Sequence, residues 1–194
     1  MPSVIESLLR LTAERRILGK FENLVAGSFE KTSDVTGKYN CVSHTVYDYN
    51  LNWWPIGGGF AEKDRYWPKE APRRRTIQAF QRALRTQGYE PCDDGSLEPG
   101  YEKAALYISE IPTSEDPLNA PTHVARQLPC GRWTSKLGGD IDIVHDTPQR
   151  LTGKEYGRLK MYFKRTRLVS ITAAEESAGK GESAKPSGSH ESQL

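Results

Sequence analysis

No stretch of this chain is long and apolar enough to span a bilayer. Its first residues are interrupted by Glu6, Arg10, Glu14, Arg15 and Arg16, so the basic-then-apolar pattern of a secretory signal is absent. Cysteine is scarce: three residues, an odd number, with no Cys-x-x-Cys pair. That excludes a disulfide scaffold and points to reduced thiols in a cytoplasm. Delivery by a signal-independent secretion route would leave no mark on such a sequence. No excess of one charge is present either, the formal net charge being +2. The basic groups Arg73-Arg74-Arg75 and Lys160, Lys164, Arg165 and Arg167 are not interleaved with a nucleic-acid motif, so they read as solvated faces. Neither nucleic acid nor membrane is therefore an expected partner.

Two cofactor patterns are also incomplete. Gly57-Gly58-Gly59 lacks the Gly-Lys-Ser/Thr that a phosphate loop requires, and no helix pattern follows it. Cys41-x-x-His44 with His123 and Cys130 would spread a zinc tetrahedron across a strand and a turn, without a knuckle. No cofactor or metal is expected.

What is present is enough for one domain with a substantial core. Residues Ser3 to Lys20 carry capping-box spacing (Ser3, Glu6) and an apolar face of Ile5, Leu8, Leu9, Leu11, Ile17 and Leu18. Residues 1–36 then form an N-terminal helix and lead-in. Residues 37–170 carry the domain, and 171–194, poor in apolar residues, read as a disordered tail. Within the domain, Asn40 is an N-cap candidate with Cys41 at the first helical position, and Thr76 caps a second helix ending at Gly88. The segment holding Trp53-Trp54-Pro55, Gly57-Gly58-Gly59 and Tyr66-Trp67-Pro68 reads as an irregular loop. Strand patterns follow at Glu102–Ile108, Thr122–Leu128, Arg132–Leu137 and Tyr156–Arg167, with a turn at Pro129-Cys130-Gly131 and an ambiguous stretch at Asp140–His145. Helices followed by an antiparallel meander give an α+β fold with the helices packed on one sheet face.

Cys41 is the candidate nucleophile, because amides exposed at a helix start favour a thiolate. A buried structural thiol is the competing reading. A thiol nucleophile needs a base. His44 shares the helix face with Cys41, His145 reads as a structural partner of Asp142, and His123 opens a strand where it can face the helix start. His123 is the preferred base. Ser135, Lys136 or Asp140 can orient its ring, and Asp140 is favoured chemically because a carboxylate stabilises the imidazolium. Trp53, Trp54, Trp67 and Trp133 are candidate substrate-binding residues, although tryptophans contribute to burial first.

The order cysteine-helix, strand, His-Val strand, Gly turn and third strand resembles papain-like hydrolases related to NlpC/P60 peptidases. Lys103-Ala104-Ala105-Leu106-Tyr107 resembles the leading strand and His123-Val124-Ala125-Arg126-Gln127 the base strand. The resemblance implies a papain-like topology, a Cys41 nucleophile and a His123 base. Ser135 falls at the third position, where serine is unusual. A closer likeness is to an uncharacterised, mainly bacterial domain family. It rests on Tyr39-Asn40-Cys41, Tyr66-Trp67-Pro68, Glu102 to Tyr107, His123 to Gln127, Gly131 to Gly138 and Asp142 to His145. That family brings no established activity. The expected function is cysteine-dependent acyl transfer on a peptide or protein amide: peptidase, amidase, deamidase or transglutaminase. The alternative is a non-catalytic binding module, toxin- or immunity-associated, in which these motifs are fold signatures. Oligomeric state is not encoded in any motif.

Overall fold

The computed structural model describes residue 12 and residues 14–55, 65–112 and 117–167. The N-terminal part of the first expected helix, the Gly57-Gly58-Gly59 stretch and the 171–194 segment lie outside the described residues. Helix α1 covers 14–20, with Ile17 buried on its inner side. Strand β1 (Phe29–Lys31), helix α2 (Cys41–Thr45), the short strands β2 (Asn52–Trp53) and β3 (Arg65–Tyr66), and helix α3 (Ile77–Arg85) follow. The remainder is strand: β4 (Glu90–Cys92), β5 (Tyr101–Ile108), β6 (Pro121–Gln127), β7 (Trp133–Lys136), β8 (Asp142–His145) and β9 (Arg158–Thr166).

Seven of these strands form one sheet in the order β1-β8-β7-β6-β5-β9-β4, every pairing antiparallel. The fold is α+β. Side chains alternate across β5, which divides the core into two clusters. Ala104 and Leu106 pack with Val42, Phe80, Leu84 and Phe163 beneath α2 and α3. Ala105 and Tyr107 pack with Ile17, Phe21, Ile143 and Leu151 beneath α1. Helices therefore cover both faces of the sheet, not one as the sequence pattern suggests. The reason is that β5 is apolar on both sides, so neither face can be left to water.

The lead-in belongs to the same body. Phe29–Lys31 pairs with Ile143–His145 as an edge strand, and Phe21 and Leu24 are buried with Ile17. The aromatic segment also holds regular structure: Asn52 and Trp53 pair in parallel with Arg65 and Tyr66, a two-residue ladder too short to show periodicity. Both helix starts follow from capping. Asn40 accepts from the Ser43 amide, and Thr76 accepts from the Ala79 amide. Gly88 ends the α3 segment with φ +80, a conformation that glycine adopts without Cβ strain.

Candidate functional site

The sheet opens where the candidate residues meet. Strand β6 pairs with β7 only at Arg126–Thr134 and Gln127–Trp133, whereas it continues along β5 to Pro121. Upstream of Arg126 the edge of β6 is taken over by α2. The Thr45 hydroxyl, which donates to the Cys41 carbonyl at 2.9 Å, lies 3.5 Å from the Val124 carbonyl, and the Val124 amide is directed at the Cys41 thiol. Cys41 thus stands at the first position of α2, inserted into the gap between two strands. It is 5 % exposed.

Asn40 holds this arrangement. Its Oδ1 must accept, because the Ser43 amide (3.1 Å) and the Ser43 hydroxyl (2.9 Å) both donate to it. Its Nδ2 therefore donates, to Asn52 Oδ1 (2.9 Å) and to the Trp53 carbonyl (2.8 Å). One side chain caps α2 and ties it to β2.

His123 lies on the face of β6 shared with Ala125, stacked on Tyr156 at 4.1 Å between ring centroids. Its ring belongs to a chain of hydrogen bonds whose direction can be read from one end. The Thr147 carbonyl can only accept, so His145 Nδ1 donates to it (2.8 Å). Neutral His145 then offers a lone pair at Nε2, and the Ser135 hydroxyl donates to it (3.0 Å). Ser135 Oγ in turn accepts from His123 Nε2 (3.1 Å). The tautomer of His123 is fixed: its proton is on Nε2, and Nδ1 carries a free lone pair. Nδ1 is buried and has no hydrogen-bond partner among the described residues.

Cys41 and His123 line one pocket of about 250 Å³, together with Tyr39, Asn52, Trp54 and Tyr156. No hydrogen bond joins the Cys41 thiol to a histidine ring among the described residues. Both groups are neutral at rest. Burial pushes the Cys41 thiol up to about 11, against the opposing influence of the Val124, Val42 and Cys41 amides. Burial likewise holds His123 well below the usual imidazole range, with His145 and His44 adding to the effect. The expectation that a helix start favours the thiolate is overridden, since α2 has five residues and its first position is dry.

Of the three orienting candidates, Ser135 hydrogen-bonds to His123, whereas Asp140 is bound to Arg16 at 2.6 Å and Lys136 Nζ donates to the Asp140 carbonyl. Trp54 lines the pocket. Trp53 and Trp67 are buried in the core beneath α2 and α3, and Trp133 packs in the other cluster against Tyr162. None of those three lines the pocket that Cys41 and His123 share. His145, read from the sequence as a partner of Asp142, is instead the end of the His123 chain. The signal for it was its place on β8 opposite β7, invisible until the register Ser135–Ile143 and Trp133–His145 is known.

A second buried polar group adjoins Cys41. Tyr39 donates to Asp142 Oδ2 (2.6 Å), Lys136 Nζ lies 3.8 Å from Asp142 Oδ1, and His44 Nδ1 is 3.6 Å from Asp142 Oδ2. His44 Nε2 is 3.0 Å from Thr134 Oγ1. Burial drives His44 down to about 3, so this imidazole is neutral too. Among the described residues, no three Cys, His, Asp or Glu side chains converge as metal ligands.

The segments holding Tyr39–Cys41, His123–Gln127, Gly131–Gly138 and Asp142–His145 thus come together around α2. A family model for a domain of unknown function, DUF7689, matches residues 30–164. The chain belongs to the DUF7689 family. The match begins inside β1 and ends inside β9, so the DUF7689 domain contains the whole network around Cys41. No curated protein and no solved structure matches the chain. No described helix is long and apolar enough to cross a membrane.

Proposed function

We propose that this DUF7689 domain is a cysteine-dependent amide hydrolase or acyltransferase with a papain-like arrangement of helix-borne thiol and strand-borne imidazole. The observation that carries the reading is the free Nδ1 lone pair of His123, on a residue that lines the same pocket as Cys41. A buried, unpartnered basic nitrogen costs about 1–3 kcal/mol, and such a cost is tolerated where the atom has work to do. Because both partners rest neutral, the chemistry is general-base catalysis rather than a standing ion pair. Sγ bonds to the carbonyl carbon of an amide as the thiol proton passes to His123 Nδ1. The carbonyl π electrons move to oxygen beside the Cys41 amide. Collapse of that adduct breaks the C–N bond, and His123 returns the proton to the leaving amine. Water or an acceptor amine then releases the acyl group from sulfur. Ser135 and His145 keep the receiving nitrogen unprotonated. The substrate is a peptide or protein amide, and peptidase, amidase, deamidase and transglutaminase chemistry all share these steps. Three free cysteines suit a reducing cytoplasm.

The test is the pH dependence of Cys41 labelling by iodoacetamide, with Cys92 and Cys130 as internal controls. An unassisted thiol near 11 gains about tenfold in rate per pH unit below its pKa. With His123 as base, Cys41 labelling is expected to be nearly flat from pH 7 to 9 and to fall at least tenfold in His123→Ala. A tenfold rise per pH unit, indifferent to His123→Ala, removes the hydrolase. The second reading then stands: a protein-binding module in which Cys41 is a packing residue, as its burial would have it.

A further inference from the structure

We infer that Asn52 is a catalytic residue of this site, its side-chain amide donating to the oxyanion that forms when Cys41 attacks a carbonyl; this rests on the acyl-transfer reading above. The assignment follows from the orientation of two amides. Asn40 cannot reverse its side chain, because Ser43 donates to its Oδ1 through both amide and hydroxyl. Asn40 Nδ2 therefore faces Asn52 and requires an acceptor there, which fixes Asn52 with Oδ1 toward Asn40 at 2.9 Å. The Asn52 Nδ2 is left on the opposite arm of the amide, with two N–H groups and, among the described residues, no hydrogen-bond acceptor. Asn52 lines the pocket that Cys41 and His123 line, and its side chain is half-buried.

Three properties suit this amide to an oxyanion. It is preorganised, since the cap that starts α2 also sets the amide plane of Asn52. It is held on β2, whose Trp53 amide is anchored to the Ser43 hydroxyl at 2.9 Å, so donor and nucleophile are carried by one hydrogen-bonded unit. It is neutral, so it stabilises developing charge without stabilising a resting thiolate, in keeping with a thiol that stays protonated until attack. The buried and unpartnered Nδ1 of His123 is the independent sign that this pocket receives a reacting group.

The experiment separates acylation from alkylation. Acylation of Cys41 by p-nitrophenyl acetate passes through a tetrahedral oxyanion, whereas alkylation by iodoacetamide does not. Wild type, Asn52→Leu (similar shape, no donor) and Asn52→Ala are compared, with Cys41 adducts quantified by peptide mass spectrometry over pH 7 to 9. Loss of one oxyanion donor costs about 10²- to 10³-fold. Acylation of Cys41 is expected to fall by that order in both variants, with alkylation of Cys41 held within about twofold. Equal acylation in all three proteins overturns the assignment, and so does a parallel loss of acylation and alkylation, which marks a structural role. If wild-type Cys41 is alkylated in a His123-dependent way but never acylated, the oxyanion assignment fails while the thiol–imidazole pair survives. If neither occurs, the hydrolase reading fails and takes Asn52 with it.

Discussion

Lowering the pH from 7.5 to 5.5 should cost this fold about 4 kcal/mol, and three buried histidines account for it. His44, His123 and His145 are 5 %, 0 % and 0 % exposed. Burial is the first cause of each shift, taking His44 to about 3, His145 to about 4 and His123 well below the ordinary value. In the unfolded chain each titrates near its ordinary value of about 6.5. The folded values are lower, so below about pH 6.5 the unfolded state binds more protons and stability falls as pH falls. One unit below that value, each neutral buried imidazole costs about 1.4 kcal/mol, and three together cost about 4. Burial raises the Asp142 carboxyl, which acts in the opposite sense: its contribution is present at low pH and is lost as pH rises through its folded value.

Domains of this size hold about 5–15 kcal/mol in all, so the loss is a large share of the total. Urea unfolding at closely spaced pH values from 7.5 to 5.0 measures it directly, the slope giving the number of protons taken up on unfolding. Near pH 5.5 that slope should approach three protons, and His145→Gln should remove about one. An uptake below one proton would mean that these rings are charged in the native protein. The tautomer assignment for His123 would then collapse with it, since it begins from a neutral His145.

Two substitutions test the core and its buried ion network. Phe80 is fully buried, between the Trp54 ring at 5.4 Å and the Trp67 ring at 5.1 Å, so Phe80→Ala should lower the unfolding free energy by about 3–5 kcal/mol in urea titration. Glu102 is buried among Arg165 (2.9 Å), Arg126 (3.6 Å) and Arg167 (3.7 Å), and accepts from the Tyr47 and Tyr89 hydroxyls. Glu102→Gln keeps the shape and strands the cations, and thermal unfolding should register a loss of about 3 kcal/mol or more.

What the sequence made legible was local chemistry; what it hid was register. Asn40 and Thr76 announced their helices because a cap acts within three residues. The long strands β5, β6 and β9 were visible in their apolar patterning, and β7 in the turn before it. The edge strand Phe29–Lys31 and the Asn52–Trp53 ladder were not, being too short to carry a period. At the site, Cys41, His123 and Ser135 could be named from residue type and order. Asp140 could not be discounted, because its partner Arg16 is 124 residues away in sequence. His145 and Asn52 were not singled out for the same reason: their contacts depend on which strand lies beside which.

That dependence also explains how a five-residue helix can position the Cys41 thiol. Alone, α2 is too short to persist in water, since nucleating a helix costs more than one turn returns. Its stability comes from its edges: Asn40 at the start, Thr45 and Cys41 against β6, and His44 against Thr134 on β7. The Thr45 and Cys41 contacts occupy the Val124 edge of β6, which β7 leaves unpaired. The opening in the sheet and the placement of the thiol are therefore one feature. A variant that zipped β6 to β7 through Val124 would expel α2 and Cys41 together, so the domain cannot complete its sheet and keep the Cys41 thiol in place.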